Sequence, residues 1–368
     1  MKTLLVERNK ILNNLQVIRK AAGEAEVIAV LKINAYGLGL LEMAGLCREA
    51  GIRFFAVTEP EDAVRLRENG FQDEEILILR STACEEEIRL ILQAGAIATV
   101  GSYDAAMALN GIAEGLGIQC DVHLKLDTGM GRYGFMPKEI DQILNISRYM
   151  TCLNIKGTYT HYANAFRSRK KTQAQYDLFM DTVEKLRAAG CNPGMLHASN
   201  SEAFFGCKMP NLDAVRIGSA LGGRILSRGD FGLKKTGRLQ SEIVEVRWLP
   251  KGAPVGYSST HICKHPTRIA VIPIGSADGF MVEKTRTAFR FLDSLRMAAS
   301  VMKRFFSGRK TYVLVNGKRA PVLGHVGVSH TTVDVTDIEC GPGAKVLLDA
   351  APMFVPPTVS RTYVDETV

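Results

Sequence analysis

The sequence predicts an α/β protein: an N-terminal (β/α)8 TIM-type barrel followed by a mainly antiparallel β domain with a helical insertion. Two patterns lead there. Up to about residue 235, short apolar runs alternate with stretches of helical periodicity, the rhythm of a parallel barrel rather than an open sheet. From about residue 236, β-rich segments broken by turn sequences replace that alternation. The domains are therefore expected at 1–235 and 236–368 of the 368 residues.

Taken in order, the barrel strands are expected at Val27–Leu31, Phe54–Val57, Ile76–Leu79, Ala96–Val100, Cys120–Leu126, Ile155–Thr160, Gly194–His197 and Ala214–Ile217. Amphipathic stretches separate them. Ile11–Ala22 has apolar residues at 11, 12, 15 and 18, and Gln173–Ala189 has Tyr176, Phe179, Met180, Val183 and Leu186, which is helical spacing. In the second domain the β segments are Leu239–Trp248, Thr267–Ile274, Thr311–Val315, Ala320–Val328, Thr332–Val335 and Lys345–Leu348. Pro-Lys-Gly, Asn-Gly-Lys and Gly-Pro-Gly turns punctuate them. Residues 283–310 break the pattern. Apolar residues at 288, 291, 292, 295, 298, 299, 302, 305 and 306 form an i, i+3/i+4 stripe, so this stretch reads as an inserted amphipathic helix.

Composition narrows the function classes. With 46% apolar and 23% charged residues, the chain has the mix of a folded globular protein. The net charge of +8 is concentrated: residues 283–310 hold eight basic and two acidic side chains, while the rest is almost neutral. A polyanion-binding groove, and with it a nucleic-acid partner, is not expected. The insertion packs on its own β domain or, on a sharper reading, docks a partner protein or an anionic membrane surface. The longest apolar runs, such as Val27–Leu31 and Ile269–Ile274, are far shorter than a spanning helix, and MKTLLVERNK turns polar too early for a signal peptide. Eight cysteines without a C-x-x-C pair read as free thiols of a cytoplasmic protein, and no metal site is expected.

The chemistry gathers at the predicted strand ends, which form the active-site face of such barrels. Lys32 follows the apolar run VIAVL, and desolvation there favours a neutral, nucleophilic amine. The fifth strand leads into HLKLDTGMGRYGF with Arg132, the sixth into THYANAF with His161. The seventh leads into HASNSEA with Asn200 and Ser201, the eighth into VRIGSALGG with Arg216, Gly218 and Ser219. Hydroxyls and backbone amides after strands seven and eight suit a phosphate. A desolvated lysine plus a phosphate cradle is what pyridoxal 5'-phosphate needs.

These motifs together resemble the alanine racemase family of fold-type III pyridoxal-phosphate enzymes. The family's (A/V)VKANAYGHG stands here as AVLKINAYGLG, its DTGMGRLG as DTGMGRYG, its THFA as THYA, its ANS as SNS and its VRPGIALYG as VRIGSALGG. In the second domain VGYGxT stands as VGYSST and PIGYADG as PIGSADG, followed by VLVNGKRAPVLGHVGVSHTTVDVTD. The resemblance spans residues 5–348.

It implies that Lys32 holds the cofactor as a Schiff base and acts as one acid/base. It further implies that Tyr36 binds phosphate, with Asn200, Ser201, Gly218 and Ser219 around it. Lys125, at a position often carbamylated in the family, would orient Arg132, which would meet the cofactor's phenolic oxygen and the substrate carboxylate. Arg216 would face the pyridine nitrogen and, being a guanidinium, keep it unprotonated. Tyr257, with His161 and Arg216 behind it, would be the second base, reaching into the partner subunit of a homodimer; Val328 would line the substrate. A phenol titrates near 10, so such a tyrosine needs cationic or hydrogen-bonded support.

Three departures stand out. The family's tyrosine in PIGYADG is Ser276, its SMD segment is Gly327-Val328-Ser329, and the C-terminal tail APMFVPPTVSRTYVDETV does not align Tyr363 with the family's supporting tyrosine. The small amino acid substrate is therefore alanine or, with the altered pocket, serine or a larger amino acid. A fold-type III decarboxylase and a non-catalytic cofactor-binding protein are the competing readings.

Overall fold

The structure, a computed structural model, describes residues 2–282, 294–295, 297–299, 302 and 310–365. Most of the basic insertion expected over 283–310 lies outside the described residues. Within it Ser294, Leu295, Met297, Ala298, Ala299 and Met302 are helical and exposed. The chain divides into two compact units, Asn9–Thr236 and Met1–Arg8 with Gly237–Val368. Among the described residues no helix is long and apolar enough to cross a membrane.

The first strand, β1 (Thr3–Glu7), precedes a helix over Arg8–Ala22. Eight parallel strands then build the barrel: β2 (Glu26–Val30), β3 (Phe54–Val57), β4 (Glu75–Ile78), β5 (Ala98–Val100), β6 (Cys120–Lys125), β7 (Leu153–Tyr159), β8 (Met195–Asn200) and β9 (Ala214–Ile217). Their order is β4-β3-β2-β9-β8-β7-β6-β5. A parallel bridge between Leu77 and Ile97 brings the two ends together, with Ile97 N–H donating to Ile76 O at 2.8 Å and Ile78 N–H to Ile97 O at 2.9 Å. The strands match the expected ones to within a few residues because parallel strands buried on both faces read as apolar runs. Ser102 and Ser168 cap the helices Tyr103–Leu116 and Arg169–Ala188 by accepting the N–H groups of Ala105 and Lys171.

The barrel interior is divided. On one side Ile28, Val30, Phe54, Ala56, Leu77, Ile97 and Ala214 form an apolar cluster. On the other, the register of β5 to β9 lines up Thr99, His123, Lys125, Tyr159, His197 and Arg216, all at most 4% exposed. After β9 the chain is pinned by Asn14, which is fully buried on the first helix. Its Nδ2 donates to Leu221 O at 3.0 Å and Lys234 O at 2.8 Å, while Oδ1 accepts Lys234 N–H at 2.6 Å.

The second unit is a nine-stranded sheet in the order β11-β14-β17-β16-β15-β18-β10-β1-β19. Its later strands are β10 (Arg238–Glu242), β11 (Glu245–Leu249), β14 (Thr267–Ile272), β15 (Tyr312–Val315), β16 (Lys318–Leu323), β17 (Thr331–Asp334), β18 (Lys345–Asp349) and β19 (Ser360–Val364). A small ribbon of β12 (Pro254–Val255) and β13 (His261–Ile262) stands apart. All described pairings in the nine-stranded sheet are antiparallel except β1 with β19.

Residues 1–8, read with the barrel on sequence grounds, lie in this unit because β1 pairs antiparallel with β10 and parallel with β19. Neither β1 nor β19 was expected as a strand. The segment Leu239–Trp248 is two strands, divided where Ile243 N–H turns to Ala344 O and Val244 N–H to Val271 O. The strand expected over Ala320–Val328 stops at Leu323, where Gly324 takes φ +66°. Tyr363 lies on β19 opposite Val6.

Replacing Asn14 by Leu is expected to cost about 3 kcal/mol, because it strands two carbonyls and an N–H away from water. Urea unfolding of the two proteins checks this; an unchanged midpoint would show that the loop finds other partners.

Candidate active site

The C-terminal ends of the barrel strands carry the candidate residues. Lys32 follows β2 and opens a left-handed turn: Ile33, Asn34, Ala35 and Tyr36 all have φ between 51° and 57°. Each such residue costs roughly 1–2 kcal/mol, so the turn needs external support. Asn34 supplies part of it by accepting the Leu40 N–H at 2.8 Å, and Gly37 N–H bonds back to Ile33 O at 2.9 Å. The turn swings Tyr36 over Gly218. A Cβ on Gly218 would lie 2.3 Å from Tyr36 Oη, so only glycine fits. Burial pushes the Tyr36 phenol up to about 12, which keeps it a hydrogen-bond donor. Ser201 Oγ accepts the Gly218 N–H at 3.1 Å, and Ser219 begins a short 3-10 turn. Asn200 Oδ1 caps the next turn through Ala203 N–H at 3.0 Å, and its Nδ2 lies 3.5 Å from His161 Nε2.

Deeper in, Arg216 is 3% exposed. Its Nη2 donates to Thr160 O at 2.6 Å and Ala198 O at 3.0 Å and lies 3.5 Å from His161 Nδ1; its Nη1 lies 2.6 Å from His197 Nδ1. A guanidinium only donates, so His197 Nδ1 accepts and the proton of His197 sits on Nε2. That Nε2 lies 2.9 Å from His123 Nδ1, which must accept in turn. Burial, then the Arg216 charge, holds His197 and His161 well below their usual range and His123 to about 3. Desolvation brings Arg216 itself down to about 10. His123 has room only because its neighbour is Gly157, where a Cβ would meet its Nε2 at 2.7 Å. The Tyr159 ring stacks on His197 with centroids 4.7 Å apart.

Lys125 is 2% exposed, and among the described residues its Nζ has no hydrogen-bond partner. It lies 4.9 Å from the Tyr159 ring centroid and 5.8 Å from that of Tyr133. Desolvation, then the charges of Arg216 and Arg132, bring it to about 7 against an upward pull from Asp127. The loop that follows is folded around Asp127. Its carboxylate accepts the N–H groups of Gly129, Met130 and Gly131 at 2.8–3.1 Å, and these donors outweigh burial and hold its pKa down. Gly134, with φ +125°, leaves no room for a Cβ against Asp127 N at 2.9 Å. Arg132 is exposed at the tip and packs on Tyr133. The charges of Arg216, then Lys125, Arg132 and Lys32, add to burial in lowering the His161 pKa. No acidic residue figures among the charges acting on Arg216.

Tyr257 and Val328 belong to the other unit. Tyr257 lies between β12 and β13 and is 75% exposed; Val328 is 70% exposed. A Cβ on Gly327 would sit 3.9 Å from Tyr257 Cε2, so the two neighbour each other.

The alanine racemase N-terminal domain family matches residues 6–224, and the alanine racemase C-terminal domain family matches residues 236–353. The chain belongs to the alanine racemase family. Curated relatives include an alanine racemase of Methanococcus maripaludis, 31% identical over 91% of this chain and 84% of that one. Another, from Desulforamulus reducens, is 33% identical over 89% and 83%. Among solved structures, alanine racemase of Clostridium difficile superposes with a TM-score of 0.84 at 25% identity, covering 100% of this chain and 97% of that one. The biosynthetic alanine racemase of Pseudomonas aeruginosa gives 0.79 at 26% identity over 99% of both. Such relatives are isomerases, and the barrel with its β-rich second unit is the family fold.

The alanine racemase reading of the motifs did not single out His123, His197, Asp127 or Tyr159. Their signal was present: in CDVHLKL the polar residues alternate with buried Val122, Leu124 and Leu126, a period-two pattern that puts His123 and Lys125 on one face. Among the described residues no group of His, Cys, Asp and Glu could hold a metal ion.

The fit at Gly218 gives a direct test of this cradle. Gly218→Ala is expected to weaken pyridoxal phosphate binding at least ~30-fold, an effect of about 2 kcal/mol. Absorbance titration measures it; unchanged affinity would mean that Tyr36 and Gly218 do not bound the phosphate site.

Proposed function

We propose that this chain is a pyridoxal-phosphate-dependent amino acid racemase that uses two bases, Lys32 on one face of the substrate and Tyr257 of the partner subunit on the other. The observation that carries the reading is the set of strand ends where the Tyr36 phenol lies against Gly218, Ser201 Oγ accepts the Gly218 N–H, Lys32 follows β2, and Arg216 and Lys125 are buried behind them. Such a site favours a dianionic phosphate and a substrate carboxylate.

The residues present fit the cofactor. Ser201, Gly218 and Ser219 offer a hydroxyl and close backbone approach beside the Tyr36 phenol, Asn200 flanks them, and Lys32 stands at the end of β2 to hold the aldehyde end. When bound, pyridoxal phosphate supplies an electron sink that acidifies the Cα–H bond of an attached amino acid. Arg216 would face the pyridine nitrogen. Its charge, already held by backbone carbonyls and by His197, keeps a proton off that nitrogen. The site therefore acts by moving protons at Cα rather than by stabilising a long-lived carbanion.

Lys125 deepens this. A buried amine without a hydrogen-bond partner, near pH-neutral pKa, is the kind that reacts with carbon dioxide, forming an N–C bond and releasing one proton. The resulting carbamate would accept from Arg132 and offset the local positive charge. Arg132 would then turn to the substrate carboxylate, with Val328 beside it. Tyr257, exposed on its own unit, suits a base that serves a neighbouring subunit, which makes the working form a homodimer with shared sites. Ser276 leaves more room than a tyrosine, so alanine, serine and larger amino acids are all candidates. Eight free cysteines agree with a cytoplasmic setting.

Exchange of the α-proton in deuterium oxide tests the reading over a panel of alanine, serine, lysine and arginine. Wild type is expected to exchange and to form both enantiomers. Lys32→Ala should lose the cofactor band near 420 nm (a general property of such imines), while Tyr257→Phe should keep the band and lose at least ~100-fold in exchange, about 2.7 kcal/mol. Release of carbon dioxide would instead make the chain a decarboxylase. A band with no exchange for any amino acid would make it a binding protein.

A further inference from the structure

One ion pair in the β unit, between Lys2 and Asp278, reaches toward residues of the candidate site. Lys2, the residue before β1, donates from Nζ to Asp278 Oδ1 at 2.8 Å and Oδ2 at 2.9 Å. Asp278 is only 8% exposed, and its Oδ2 also accepts the Gly275 N–H at 2.9 Å. One carboxylate thus closes the turn Gly275–Gly279 on itself and ties it to the N-terminal strand. The turn is joined to a second loop: Ser276 N–H donates to Gly327 O and Ala277 N–H to Val328 O, both at 3.0 Å. The two loops are so close that a Cβ on Gly275 would lie 2.3 Å from both of those carbonyl oxygens. Gly327 in turn backs the Tyr257 ring. Hydrogen bonds therefore lead from Lys2 through Asp278 and the Gly275–Gly279 turn to Gly327 and Val328, with the Tyr257 ring nearby.

We propose that the Lys2–Asp278 pair is a latch that fixes the pose of these two loops and so sets which amino acids the site accepts. The proposal rests on the reading that Ser276, Val328 and Tyr257 face substrate. The segment it controls has defined ends. On one side Thr331 Oγ1 holds the Ile274 carbonyl at 2.7 Å; on the other Phe280 bridges to Ala350. Between them, the described side-chain tie to another strand is Lys2. Without it, among the described residues Asp278 keeps the Gly275 N–H as its one donor, and a buried carboxylate so poorly compensated moves toward water. The turn opens, and Ser276 and Ala277 lose their carbonyl partners. Lys2 is thus a positioning residue, acting through Asp278.

Amide hydrogen exchange on the cofactor-loaded full chain tests this. Lys2→Met is expected to speed exchange at Ser276 and Ala277 at least ~10-fold, with Ala270 and Val333 in the sheet unchanged, while Lys2→Arg stays within ~3-fold of wild type. The double replacement Lys2→Asp with Asp278→Lys should restore part of the protection. In parallel the kcat/KM ratio of serine to alanine should change at least ~3-fold in Lys2→Met, mostly through KM. Unchanged exchange at Ser276 and Ala277 would overturn the latch, as would an equal rise at Ala270 and Val333. Faster exchange with an unchanged substrate ratio would overturn its role in selectivity. If wild type acts on no amino acid, the functional reading fails, while the exchange rates still decide whether the latch exists.

Discussion

The guanidinium of Arg216 lies inside the barrel with two backbone carbonyls and the Nδ1 of His197 as its partners. A buried charge without a carboxylate is tolerable only where every neighbouring group is an acceptor or neutral. That requirement spreads outward. His197 must present a lone pair at Nδ1, which fixes its tautomer, and the same rule passes to His123. His123 must fit against β7, which demands Gly157. Tyr159 must offer its face to His197, and it also lies 4.9 Å from both Arg216 and Lys125. The polar half of the barrel is thus one set of mutually dependent side chains, held rigid by the apolar half opposite.

The same arrangement sets the charge of the barrel mouth. The Asp127 carboxylate, held by the Gly129–Gly131 backbone, raises the Lys125 pKa, while burial and the charges of Arg216 and Arg132 lower it. A positively charged mouth of this kind favours an anion over a cation. Strain is placed beside it: the left-handed turn after Lys32 sets Tyr36 against Gly218 and holds Lys32 at the rim.

Much of this was legible in the sequence. The barrel strands were plain because apolar runs buried on both faces leave an unambiguous pattern, and Phe54–Val57 and Ala214–Ile217 have the expected bounds. Lys32 and Gly218 were readable as strand-end residues because they directly follow the apolar runs around β2 and β9. What escaped notice depends on contacts distant in sequence. Thr3–Glu7 is a strand because it pairs with β10 and β19, and Ser360–Val364 is one because it pairs with β1 at the sheet edge. The break at Ile243–Val244 depends on which neighbours accept its N–H groups. His123 and His197 are 74 positions apart, and only the barrel register brings their rings together. Ser276 was visible as a departure from the family motif, but its tie to Lys2 through Asp278 was not.

The central claim is that Arg216 is sustained by neutral histidines of defined tautomer. Imidazole 15N shifts of His123 and His197, assigned with the single glutamine variants, test it as the pH is lowered from 8 to 5. Both rings have folded pKa values below the unfolded value of about 6.5, so the unfolded chain binds the extra protons and stability falls as the pH drops through this range. The folded protein should show both rings neutral, with the proton on Nε2, down to pH 5. An imidazolium signal from either ring above that pH, or an Nδ1–H tautomer at His197, would contradict the account.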